Sequence, residues 1–143
     1  MKSESEIDEE IKLEAAVKFR SHLWRNNVGA MFDAVGRMVR YGLANDSKAM
    51  NEKLKSGDRV GITPIVITQA MVGKTVGVFT SIEVKKENWK WTGTEREKAQ
   101  LAWVELVQEK GGIAGFAKSK EIYNAIINAW LGDKNDTVTI KKT

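Results

Sequence analysis

Glu83 and Lys85, in the run Ile82-Glu83-Val84-Lys85, are the side chains whose type and spacing are best suited to chemistry. They close a β-rich stretch, Thr75-Val76-Gly77-Val78-Phe79-Thr80-Ser81. A strand's period of two puts both on one face, while Val76, Val78, Ile82 and Val84 line the other. A carboxylate and an amine then project together from a rigid edge. Asp58, after Gly57 at the head of the preceding apolar run, adds a second carboxylate. An aspartate, a long hairpin and then Glu-x-Lys is the arrangement of a metal-dependent phosphodiesterase site.

Hydrolysing a phosphodiester needs a water made nucleophilic at neutral pH and an electrophilic clamp on the phosphate oxygens. Magnesium supplies both, and it takes one or two carboxylates plus waters and substrate phosphate. Asp58 and Glu83 are the expected ligands, with the Val84 carbonyl as a further one, and manganese is expected to substitute for magnesium. Lys85 would orient the attacking water or offset the charge that develops on the phosphorus centre. Each signal also has a plainer reading. Glu-x-Lys is the pattern of a solvated charge pair, and Asp58 that of a turn aspartate after glycine. Gln100 shares a helix side with Trp103 and Val107, where a satisfied core amide is common; its functional reading has it reaching the scissile phosphate or the attacking water. Ile82, Val84 and Phe79 favour a strand in the middle of a sheet, where a charged pair needs a reason.

The elements that must position these groups follow from caps and periodicity. Ser3 with Glu6 is a capping box opening a helix to about His22, with apolar residues at Ile7, Ile11, Ala15 and Phe19. Glu4 falls on the Ile7 and Ile11 side, whereas Glu6 is occupied by the cap. Residues 23–28 and 38–43 read as paired strands, and residues 44–55 as a short helix or a mobile loop beside Asp58 that could gate the site. Residues 60–68 and 76–86 give the strongest hairpin signal, with Pro64 at an edge or a bulge. Thr94 with Glu97 caps a helix to about Lys110, Gly111-Gly112 stops it, residues 113–118 form a short buried strand, and Ser119 caps a last helix to about Leu131. Residues 132–143 read as a polar tail, in which 137–140 could add a strand. The order implies an α/β fold, a sheet flanked by helices on both faces.

Composition bounds the remainder. The 143 residues, 42% hydrophobic, suffice for one domain with a core. Without cysteine there is neither a disulfide nor a thiolate metal site, so any metal must use oxygen ligands or the single histidine, His22. The absence of a bilayer-length apolar stretch and of a basic-then-apolar leader suggests a soluble, cytoplasmic protein with no membrane association. Residues 1–16 carry six acids against two lysines, so the formal +4 of the whole chain leaves +8 on residues 17–143 and favours a polyanionic partner. Of the five tryptophans, Trp103 and Trp130 have core spacing. Trp89 and Trp91 interleave with Lys86, Asn88 and Lys90, a loop suited either to stacking on splayed bases or to pinning itself to the following helix.

Arg25-Asn26-Asn27-Val28-Gly29, Arg40-Tyr41-Gly42-Leu43, Gly57-Asp58-Arg59-Val60-Gly61-Ile62-Thr63-Pro64, Ile82-Glu83-Val84-Lys85 and Gly111-Gly112-Ile113-Ala114-Gly115 together resemble the phage and bacterial VRR-Nuc (virus-type replication-repair nuclease) domains of the PD-(D/E)XK nuclease superfamily. The resemblance spans Ser3 to about Ile127 and implies a nuclease domain over 1–131, with a restriction-endonuclease-like αβββαβ core around a mixed central sheet. Carried over by position, it makes Asp58 and Glu83 metal ligands, Lys85 the catalytic lysine, Gln100 the glutamine of the following helix, and Glu4 the helix-one acid, with Glu6 as its rival. Arg25, Asn27, Arg40, Lys86, Trp89 and Lys90 would contact DNA. Stand-alone members resemble junction resolvases and tend to be homodimers cutting branched DNA, and in a phage-encoded protein the compartment would be the host cytoplasm. This chain departs from the pattern in the longer stretch 45–55, in Gly57 before the aspartate, and in the tryptophan-rich loop 87–93.

The expectation is thus a magnesium-dependent endodeoxyribonuclease acting on branched DNA in repair or replication. The alternative is a nuclease-fold module that binds branched DNA without cutting it. A metabolic enzyme is disfavoured, because there is no glycine-rich phosphate loop and no nucleotide-cofactor motif. DNA binding should weaken steeply as salt rises, by roughly 10³-fold or more between 50 and 200 mM if about six phosphates are contacted. A fluorescence-anisotropy titration at several salt concentrations checks this, and a flat response would contradict the electrostatic reading.

Overall fold

The computed structural model describes residues 1–132. Apart from Gly132, the expected tail over 132–143 and its candidate strand at 137–140 lie outside the described residues. The protein is mixed α/β, and the described strands form three two-stranded sheets. The chain divides into two compact units, Met1–Thr63 and Pro64–Thr143.

The first unit opens with α1 (Glu4–Phe19). Its capping box is formed in both directions: the Ser3 hydroxyl accepts from the Glu6 N–H, and the Glu6 carboxylate accepts from the Ser3 N–H at 2.7 Å. After it come β1 (His22–Arg25), β2 (Gly29–Phe32), β3 (Met38–Tyr41), α2 (Lys48–Lys53) and β4 (Arg59–Ile62). The expected pairing of residues 23–28 with 38–43 does not occur. β3 pairs antiparallel with β2, because Asp33 and Gly36 close a tight turn: the Asp33 carboxylate accepts from the backbone N–H groups of Val35 and Arg37, and Gly36 takes φ 80°. β1 pairs antiparallel with β4, Trp24 opposite Val60.

Apolar burial is sparse here, so polar groups do much of the fastening. Asn45, 3% exposed, donates from Nδ2 to the carbonyls of Gly29 and Tyr41, and the Ser21 and Thr63 hydroxyls are 2.7 Å apart. Asn26 donates from Nδ2 to Ser56 Oγ and the Gly57 carbonyl and accepts from the Leu43 N–H, tying both ends of the segment around α2 to β1. The segment is therefore a capped helix with anchored ends.

In the second unit a single 3-10 turn (Gln69–Met71) is followed by β5 (Thr80–Val84), α3 (Glu95–Glu109), β6 (Ile113–Ala117) and α4 (Lys120–Trp130). The hairpin expected from residues 60–68 and 76–86 is absent: β4 pairs with β1, and β5 pairs parallel with β6. A parallel pair cannot be closed by a turn and needs a crossover, which α3 provides. The Thr94/Glu97 capping box and the Ser119 cap form as the sequence implied. Every residue of β6 is buried, and Val104 and Val107 of α3 are 1% and 0% exposed, so the core lies between α3 and β6. Two expectations fail. Val84 is 77% exposed, because β5 has one described neighbour and is not central. Trp130 is 45% exposed and uses its indole N–H on the Gly111 carbonyl in place of packing inside. Among the described residues no helix is long and apolar enough to cross a membrane.

Gly61 sits opposite Leu23, and a Cβ there would lie 1.7 Å from the His22 carbonyl oxygen, on rigid strand backbone. Gly61→Ala should separate β1 from β4 and destabilise the first unit by about 3 kcal/mol. Chemical denaturation followed by tryptophan fluorescence, which Trp24 reports, would show the lowered midpoint.

Candidate active site

In the second unit, the register of β5 on β6 sets Glu83 opposite Phe116 and Val84 opposite Ala117. The ladder continues one residue further, the Lys85 N–H donating to the Ala117 carbonyl at 2.9 Å. Both charged side chains then meet Gln100 of α3. Its Nε2 donates to Glu83 Oε1 at 2.6 Å, and its Oε1 accepts from Lys85 Nζ at 2.7 Å. Lys85 Nζ is also 3.5 Å from Glu83 Oε1, and the two side chains are only 15% and 35% exposed. The ammonium lies 5.4 Å from the ring centre of Trp89 and 5.6 Å from that of Phe116. Three groups singled out in the sequence thus form one hydrogen-bonded set. Beside it opens a cavity of about 320 Å³ lined by Ser81, Glu83, Arg96, Ala99, Gln100 and Trp103.

In the first unit, Asp58 is exposed at the bend before β4, and its carbonyl accepts from the Asn26 N–H at 2.8 Å. Asp58 and Glu4 line one open cleft of about 670 Å³, together with Arg25, Asn27, Asp8 and Arg59. Glu6 does not line it. Its carboxyl is held below the usual range by the Ser3 backbone N–H and hydroxyl of the capping box. Asp8 was not singled out in the sequence. Four residues after Glu4, it shares that side of α1 and accepts a two-point ion pair from Arg59, with Arg59 Nε 2.9 Å from Asp8 Oδ1. That hydrogen-bonded guanidinium lowers the Asp8 carboxyl, and the carboxylate in turn raises Arg59.

Among the described residues, no three or more aspartate, glutamate, histidine or cysteine side chains gather as a metal site. Comparison with protein-family models, with curated proteins and with solved structures finds no match to this chain.

The expected DNA contacts divide. Arg25 and Asn27 are exposed on the first unit's cleft, and Lys86 and Lys90 are exposed after β5. Arg40 is partly committed to the fold, donating from Nη1 to Asn45 Oδ1 at 3.1 Å. Trp89 is engaged internally: its ring stacks on Phe116 at 5.4 Å, and Trp91 meets Phe116 edge-on. Of the two roles open to this loop, the geometry is that of pinning.

The pin is Glu97, which is 7% exposed. Its Oε1 accepts from the Trp89 indole at 2.9 Å, and its Oε2 accepts from the backbone N–H groups of Thr92, Gly93 and Thr94 and from the Thr92 hydroxyl. Burial pushes this carboxyl up, but the Trp89 indole and the Thr92 and Thr94 donors together outweigh it and hold it at about 2. The capping-box pattern in the sequence marked Glu97, but not its hold on Trp89. A depressed carboxylate stabilises the fold above its unfolded value near 4.5 and loses that contribution as pH falls toward 2. Glu97→Gln should therefore lower the melting temperature near pH 7, and the gap from wild type should narrow as pH drops from about 5 to 2. Thermal melts across that range test it; a gap independent of pH would contradict the assignment.

Proposed function

We propose that this chain is a metal-dependent, structure-selective DNA endonuclease of VRR-Nuc type, built on a restriction-endonuclease-like αβββαβ core and acting as a homodimer on branched DNA. The observation that carries the reading is the Glu83, Gln100 and Lys85 set, in which a carboxylate, an amide and an ammonium are held within hydrogen-bonding reach. The order α1, β1 to β3, α2, β4, β5, α3 and β6 contains that core's succession of helix, strands, helix and strand, although the described strands pair as three two-stranded sheets and not as one mixed central sheet. The homodimer follows from the resemblance, and the exposed Met31, Phe32 and Met38 of the β2–β3 hairpin offer apolar surface for an interface.

The donor set suits a hard divalent cation such as magnesium. Glu83 offers a carboxylate whose Oε2 takes part in neither contact of the set, and the chain has no thiolate to compete; the other expected ligands, Asp58 and Glu4, line the cleft of the first unit. Bound there, the cation would polarise the phosphate and lower the pKa of the attacking water. Lys85 would place positive charge where negative charge grows on the phosphate oxygens, a contribution that depends on its being fixed beforehand. Gln100 is the residue that fixes it, by accepting from Nζ while restraining Glu83.

A second reading, a non-cleaving module for branched DNA, draws on the absence of a three-ligand cluster among the described residues. Cleavage assays separate the two. Wild type and Glu83→Ala are incubated with labelled four-way junction, flap, single-stranded and duplex DNA, with and without magnesium or manganese. The nuclease reading expects metal-dependent cutting of branched substrate that falls at least about 100-fold in Glu83→Ala. Binding without cutting under every condition would leave the recognition module.

A further inference from the structure

Arg96 stands in the first turn of α3, four residues before Gln100 and so on the same side of the helix. It lines the cavity that also contains Glu83, Gln100 and Trp103. Its side chain is exposed and makes no hydrogen bond or ion pair among the described residues. The acids flanking it in sequence do not take it. Glu95 pairs with Lys98 at 3.1 Å, and Glu97 turns inward to Trp89 and its own cap. A guanidinium presents a planar fork of donors that matches two oxygens of one phosphate.

We infer that Arg96 binds a backbone phosphate of the DNA strand entering the cavity beside Glu83. The inference rests on the nuclease reading for its substrate. It assigns Arg96 to substrate binding, separate from the Lys85 and Gln100 set that would act on the reacting phosphate. A phosphate held there would be set against Trp103, whose indole N–H already donates to Ser81 Oγ at 2.8 Å and fixes the cavity wall.

The test compares the full chain as wild type, Arg96→Ala and Arg96→Lys. Cleavage kinetics are measured on the preferred junction in magnesium, and binding is measured in EDTA at several salt concentrations. Arg96→Ala should raise KM about 10-fold while lowering kcat far less, and should flatten the slope of log affinity against log salt by about 0.9, one phosphate's worth of counterions. Arg96→Lys should recover the slope but only part of the affinity, since the charge returns without the fork. An Arg96→Ala protein with wild-type KM and wild-type slope overturns the inference and leaves the nuclease reading standing. If wild type does not cut but Arg96→Ala still flattens the slope, the phosphate contact stands and the nuclease reading falls.

Discussion

The amide of Gln100 can serve Glu83 and Lys85 together only while α3 and β5 keep one register, and the second unit is organised around keeping it. The parallel pairing of β5 with β6 fixes the strand, and the α3 crossover between them packs Val104 and Val107 against the buried β6. The Thr94/Glu97 cap then fixes where α3 begins, and hence which residue faces the strand about one and a half turns later. A hydrogen bond to a charged group contributes about 1.5–3 kcal/mol, while immobilising a lysine costs about 2 kcal/mol of side-chain entropy. One bond therefore roughly breaks even. The aromatic rings of Trp89 and Phe116 beside the ammonium, each worth about 0.5–2 kcal/mol, make a fixed Lys85 favourable.

The first unit is stabilised differently. With Ile62 its one strongly buried large apolar side chain, it relies on Asn45, Asn26, Ser21 and the Asp8 and Arg59 pair. These polar groups fasten loops to strands, and several of them border the cleft that holds Asp58 and Glu4. An amide such as Asn26, with three partners on two separate segments, fixes the loop before Asp58 more narrowly than apolar packing would.

What could be read from the sequence was what local chemistry decides. Ser3 with Glu6, Thr94 with Glu97, and Ser119 marked three helix starts, because a cap and the N–H that donates to it lie within one turn. Gln100 could be placed on the inner side of its helix, since helical spacing fixes faces. Strand partners were not legible. Residues 60–68 and 76–86 have the composition of a hairpin, yet β4 finds β1 and β5 finds β6, because pairing is settled by burial and crossover geometry far along the chain. Nor could sequence say what Trp89 does. A basic, aromatic loop looks alike whether its rings await a ligand or rest on Phe116, and only the long-range contacts with Phe116 and Glu97 separate the two.

Glu97 and Glu83 show how a carboxylate committed to the fold differs, in the same unit, from one that keeps an oxygen open to a cavity. A carboxylate has about four lone-pair sites. Glu97, 7% exposed, takes an indole on Oε1 and three backbone N–H groups and a hydroxyl on Oε2, donors that commit it to the fold and account for its depressed pKa. Glu83 receives Gln100 and Lys85 on Oε1 alone and lines an open cavity. Its partners also leave it in a different electrical state, since an ammonium 3.5 Å away already offsets its charge. A divalent ion approaching Oε2 would meet a carboxylate held in place but partly neutralised, so further carboxylates are needed to bind it well. That requirement is why a Glu-x-Lys strand does not by itself make a metal site.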